Sequence, residues 1–142
     1  MDEAEAIIER LALVPHPEGG YYRQTWEGPV VAGRASGTAI LFLLKAGTRS
    51  HWHRVDAAEI WLWHAGAPLV LRRAETQAMS EVMALGPDVL AGQAPQAVIP
   101  AGWWQAAEAR EGWALVSCTV SPGFRFDGFV LAAPGFDIPG GG

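Results

Sequence analysis

An all-β architecture, a barrel or a sandwich preceded by one short helix, is what this sequence predicts, and three observations carry the prediction. Seven tryptophans stand beside 17 glycines and 10 prolines in 142 residues, so large flat side chains suited to pleated surfaces are interleaved with turn-forming residues. Short apolar or alternating runs recur along the chain, bounded by glycine or proline. Helical spacing is read once, at Ile7, Ile8 and Leu11.

Each element follows from local chemistry. Asp2-Glu3-Ala4-Glu5 has the form of a capping box, with Asp2 as N-cap, and predicts a helix running to about Leu13. Pro15 and Pro17 end it, since proline lacks the amide a helix needs and pushes the preceding residue towards extended conformations. Gly19 and Gly20 then permit a tight bend into an aromatic strand, Tyr21 to Trp26. One face of it carries Tyr21, Arg23 and Thr25, the other Tyr22, Gln24 and Trp26.

Residues 27–37 read as a loop, and Thr38 to Leu44, apolar on both faces, predicts a central strand. Gly66-Ala67-Pro68 turns into a strand at Leu69 to Arg73. A hairpin tip at Glu75-Thr76-Gln77 leads to another strand over Met79 to Leu85, and residues 85–95 are linker-like. Pro100 and Gly102 make a turn. The clearest late strand spans Gly112 to Val120, with Trp113, Leu115, Ser117 and Thr119 on one face and Ala114, Val116, Cys118 and Val120 on the other. A short strand from Phe129 to Ala132 follows. The expectation is one domain over residues 1–136 and a loose glycine-rich tail over 137–142.

Composition excludes several classes. The net charge of -5, with only Arg72 and Arg73 adjacent among scattered basic residues, argues against a nucleic-acid partner. No run approaches the roughly 20 apolar residues of a membrane-spanning helix. An acidic N-terminus, Met1-Asp2-Glu3-Ala4-Glu5, is unlike a secretory signal, so a cytoplasmic location is expected. The single cysteine, Cys118, lies in an apolar run and reads as a small buried hydrophobe.

The chemistry concentrates between Gly47 and Gly66. His51 and His53 are two apart, so on a regular strand their imidazoles leave the same face, and Glu59 follows after a turn that brings a carboxylate beside them. Such a set suits Zn, Fe, Mn or Ni with positions left open; the competing reading is a hydrogen-bonded polar patch in a barrel mouth. By strand parity Glu59, Trp61 and Trp63 share a face, so the tryptophans would wall the pocket, while Trp52, Ile60 and Leu62 point outward and ask for cover by a second subunit. Arg23 reads either as an exposed arginine or as a contact for a ligand anion. His64 falls on the opposite face, His16 caps a loop or overhangs the pocket, and Trp103 and Trp104 suit core or rim packing.

Gly47…His51-x-His53…Glu59…Gly66, followed by Pro100-x-Gly102-x-x-Gln105, resembles the two motifs of the cupin superfamily. The segments His16 to Arg23 and Pro100 to Gln105 resemble the small single-domain cupin-five group, which has no generally assigned activity. The resemblance implies a jelly-roll β-barrel, often dimeric, holding a metal through His51, His53, Glu59 and a fourth ligand from the second motif. That fourth position, a histidine in the family, is Gln105 here, and its amide oxygen is a weaker, harder donor than imidazole. Gln105 also reads as a contact for a substrate amide.

Three functions compete on these residues. One is a metal-dependent enzyme on a small organic or sugar-like molecule, with His51, His53, Glu59 and Gln105 around the ion and Arg23, Trp61, Trp63 and Gln105 around the ligand. The second is metal-free: a ligand-binding module, or an epimerase or isomerase with His51 or His53 as base and a tyrosine, Tyr22, as acid. The third is a structural protein with a vestigial pocket.

Overall fold

The computed structural model describes residues 1–141. Helix α1 (Glu3–Arg10) is followed by strands β1 (Val14–Pro15), β2 (Tyr21–Glu27), β3 (Val30–Val31), β4 (Arg34–Ala35), β5 (Thr38–Leu44), β6 (Arg49–Val55) and β7 (Ala58–Gly66). Then come β8 (Leu69–Ala74), β9 (Ser80–Leu85), β10 (Gln96–Ile99), β11 (Trp104–Glu108), β12 (Ala114–Ser121), β13 (Phe129–Leu131) and β14 (Gly140–Gly141). Two six-stranded sheets, ordered β1-β2-β5-β12-β7-β10 and β13-β6-β11-β8-β9-β14, pack face to face, and β3 and β4 form a small separate hairpin. The expected all-β architecture is present, as a sandwich and not a closed barrel: no strand hydrogen-bonds one six-stranded sheet to the other among the described residues.

Most elements form where the sequence puts them, but α1 ends at Arg10 and not near Leu13, and the expected loop over residues 27–37 folds back on itself as the β3–β4 hairpin. Asp2 caps α1 by accepting from the Glu5 amide at 2.7 Å. The apolar stripe of Ile7, Ile8 and Leu11 packs with Leu13, Leu41 and Leu43 on the outer face of the first sheet. Strand β5 is central, between β2 and β12, which is why both its faces are apolar. In β12 the two faces separate as predicted, Ala114, Val116, Cys118 and Val120 being buried and the alternate residues less so.

The space between the sheets has two ends. At one, Phe42, Leu44, Trp61, Leu69, Leu71 and Leu85 form the dense apolar core. At the other, polar side chains interrupt the apolar lining and a cavity is left.

Two expectations about the outside are corrected. Trp52 does point outward, but its cover comes from the same chain: it packs with Trp104, Ala106, Phe136 and Ile138, and its indole Nε1 donates to Asp137 at 2.9 Å. For that reason the tail is not loose over residues 137–141. Ile138 is fully buried and β14 pairs in parallel with β9. Gly142 lies outside the described residues.

Candidate functional site

Strand β6 does not keep regular alternation. Opposite it, Gln105 pairs with His53 but Ala107 pairs with Ser50, so two residues of β6, His51 and Trp52, oppose the single Ala106 of β11. This is a β-bulge, and it re-aims the side chains on either side of it. Ser50 and His53 both face the interior, 0% and 1% exposed. His51 turns out of it, its Nε2 lying 2.9 Å from the Ala133 carbonyl, beside Arg49, Arg72 and Asp137. The two histidines therefore do not share a face.

A carboxylate the sequence reading passed over meets His53 instead. The His16-to-Gly20 loop lies against β6, with the His51 amide donating to the Glu18 carbonyl at 2.7 Å. Gly19, at φ +107°, sits where a Cβ would collide with the Arg49 carbonyl, so only glycine allows so close an approach. The approach carries the Glu18 side chain inward. Its Oε2 accepts a short hydrogen bond from the Ser50 hydroxyl and lies 3.5 Å from His53 Nε2, and its Oε1 lies 3.3 Å from His16 Nδ1.

These groups border a cavity of about 290 Å³ lined by His16, Glu18, Tyr22, Gln24, His53, Glu59 and Cys118 among others, with Phe124 and Phe126 at one side. His53 Nδ1 lies 2.7 Å from the His51 carbonyl; donating there, it leaves the Nε2 lone pair towards Glu18. Glu59 accepts from Gln105 Nε2 at 2.9 Å, and Gln105 Oε1 accepts from the Trp61 indole at 2.7 Å. Both ends of the Gln105 amide are thereby committed.

Burial sets the protonation. It pushes the Glu18 carboxyl up to about 8, against the Ser50 hydrogen bond, and the Glu59 carboxyl up to about 7, where the charge of His53 opposes it. Burial, with His53 nearby, takes His16 down to about 4, and burial also lowers His53. Near neutral pH the cavity thus holds neutral imidazoles beside carboxyls that keep or readily regain a proton. Burial drives the Cys118 thiol well up, leaving it un-ionised.

Other candidates lie elsewhere. Arg23 is on the helix-covered outer face, its Nε donating to the Leu11 carbonyl at 2.7 Å and so satisfying the end of α1. Trp61 belongs to the apolar core, 1% exposed, and Trp63 packs against that core with its indole donating to the Ala67 carbonyl. Neither borders the cavity. His64 is exposed, its Nε2 2.6 Å from the Ser117 hydroxyl, whereas His16 does reach the cavity, its ring 4.5 Å from that of Tyr22. Of the predicted set, the structure brings His53, Glu59 and Tyr22 to one cavity, sets Gln105 behind Glu59 and leaves out His51, Arg23, Trp61 and Trp63.

The metal implied by the cupin motifs does not fit this set. His51 is across the sheet and Gln105 is bonded at both ends, and no group of three His, Cys, Asp or Glu side chains among the described residues is arranged to hold an ion.

The chain has clear relatives. A family model described as Cupin superfamily (DUF985) matches residues 5–132. A Shewanella oneidensis protein of solved structure is 37% identical, covering 94% of this chain and 86% of its own, with a TM-score of 0.87. A hypothetical protein from Leishmania major is 33% identical over 93% and 88%, with a TM-score of 0.83. Oxalate decarboxylase from Bacillus subtilis, 17% identical, is similar in fold: it aligns with 82% of this chain and 29% of its own at a TM-score of 0.64. No curated protein matches in sequence.

Proposed function

Because the chain belongs to the cupin family described as DUF985, we propose that its interior cavity binds one small organic molecule and that Glu18 and His53 move protons on it. The observation that carries this is the pairing, 3.5 Å apart in a buried cavity, of a carboxyl held protonated with an imidazole held neutral. One is an acid and the other a base at the same pH. For a carbonyl compound bearing an α-hydrogen, His53 Nε2 takes the proton from carbon while the Glu18 carboxyl gives its proton to the carbonyl oxygen. The product of that step is an enol. Return of a proton to the opposite face of the α-carbon, with loss of the enol proton to Glu18, gives an epimer; where the α-carbon carries a hydroxyl, protonation of the former carbonyl carbon with loss of that hydroxyl's proton to Glu18 gives an isomer. Glu59, held by Gln105, and the Tyr22 hydroxyl are the further groups within the cavity that can orient or relay.

Deuterium incorporation from D2O into a panel of small aldoses, hydroxyketones and amino-carbonyl compounds, followed by proton NMR, tests the reading. At least one compound exchanges with the wild-type protein, and Glu18→Gln and His53→Gln each slow it by about a hundredfold or more. No exchange, together with one Mn, Fe, Ni or Zn per chain that raises the melting temperature, overturns it.

A second copy of the chain is the partner this reading expects. Val98 is 43% exposed and Ile60 and Leu62 are partly exposed, together on the outer face of β7 and β10, and pairing of two copies there would cover them. Sedimentation equilibrium distinguishes a dimer from a monomer.

A further inference from the structure

We infer that the cavity selects a molecule bearing a protonated amine and rejects carboxylates and phosphates; the inference rests on the proposal that this cavity is the ligand site. Its first support is the inventory of charge. Two carboxyls, Glu18 and Glu59, face the cavity, and no arginine or lysine lines it among the described residues. Outside the cavity Asp56 has Arg34 at 2.7 Å and Glu81 has Arg73 at 3.1 Å. Within the cavity the partners are Ser50, His16 and His53 for Glu18, and the Gln105 amide for Glu59. A buried carboxylate without a cation is costly, which is why these carboxyls hold a proton; an ammonium group entering beside Glu59 takes the place of that proton and leaves Glu18 its own. An anionic ligand would meet two acids and no fixed positive charge.

The second support is the wall. Phe124 and Phe126 lie with ring centroids 4.9 Å apart, and His16 links Phe126, at 6.4 Å, to Tyr22, at 4.5 Å. This is an arc of rings on the side of the cavity bordered by Tyr22, Phe124 and Phe126. Ring faces attract a cation and give nothing comparable to an anion. Acid groups and aromatic rings bordering one cavity are the chemistry that recognises an organic ammonium.

Three probes of one shape and different charge decide it: benzylamine, benzyl alcohol and benzoate, titrated calorimetrically into the full-length protein at pH 7.5. Benzylamine is expected to bind at least tenfold more tightly than benzyl alcohol, and benzoate to give no saturable heat. Glu59→Gln and Phe126→Leu each weaken benzylamine about fivefold or more and change benzyl alcohol less than twofold. Phe126 is 55% exposed, so Phe126→Leu preserves the readout if Glu59→Gln does not fold. Benzoate binding as well as benzylamine, equal affinity for amine and alcohol, or no binding by any probe overturns the inference. Equal binding of amine and alcohol leaves the cavity reading standing, and loss of proton exchange with the amine preference intact removes the proposed reaction alone.

Discussion

His51 and His53 stand two residues apart on one strand and are held in opposite ways. His53 is 1% exposed, faces Glu18 and has its ionisation suppressed by burial. His51 lies on the far side of the same sheet, against the Ala133 carbonyl of the C-terminal segment. The difference teaches that one inserted residue separates an inward position from an outward one: the bulge opposite Ala106 adds a half-turn of the pleat, and the place His51 would take inside goes to Ser50 and, through it, to Glu18.

Four experiments break or sharpen that contrast. The largest effect is expected from exchanging the histidines. His53→Gln lowers proton-exchange activity by roughly 10²-fold or more, while His51→Gln leaves it within about twofold, as NMR exchange rates will show. Equal losses would erase the distinction between the faces. Next is the outer cluster: Trp52→Ala removes a buried indole and its bond to Asp137 and costs about 3–5 kcal/mol in denaturant unfolding, with ligand affinity of the folded protein unchanged.

The pH dependence isolates the inner face. Glu18 and Glu59, raised from about 4.5 to about 8 and about 7, bind more protons folded than unfolded, so their contribution is present at low pH and is lost as pH rises towards 8. His16 and His53, lowered from 6.5, bind fewer protons folded, and their contribution is lost as pH falls below 6.5. Between about 4.5 and 6.5 the two pairs oppose each other. From pH 6.5 to 8 only the carboxyls act, so the melting temperature falls over that interval, and Glu18→Gln flattens the fall. The smallest effect is on the other sheet, where Arg23→Ala loses the bond to the Leu11 carbonyl and costs about 1 kcal/mol by chemical denaturation without altering ligand affinity.

The fold was largely legible because its signals are local. Capping at Asp2, the apolar stripe of α1, the two-faced β5 and the alternation of β12 each depend on residues close in sequence, and all appear in the structure. The site was legible in part. His53, Glu59 and Tyr22 reach the cavity, as strand parity predicts for the first two, and of the two places open to His16 in the sequence, loop cap or pocket, the structure shows it bordering the cavity. Trp61 and Trp63 share the inward face with Glu59 but lie towards the apolar end of the sandwich, and parity gives the face of a strand without giving the position along it. Glu18 gave no periodic signal, being in a loop. Gly19-Gly20 is the available clue: beyond permitting a bend, the pair lets one backbone run against another.

By itself the sequence determined the order of chemistry along the chain: where turns fall, which runs are apolar, and that an all-β domain with one short helix carries two imidazoles and an acid between Gly47 and Gly66. Tertiary structure alone decided which of them meet. Whether a strand bulges depends on its pairing with a distant partner, here β6 against β11, and whether a loop carboxyl enters the interior depends on how near its backbone can come to another strand. Both are contacts between residues far apart in sequence, and the protonation of Glu18, His53 and Glu59 follows from the burial those contacts create.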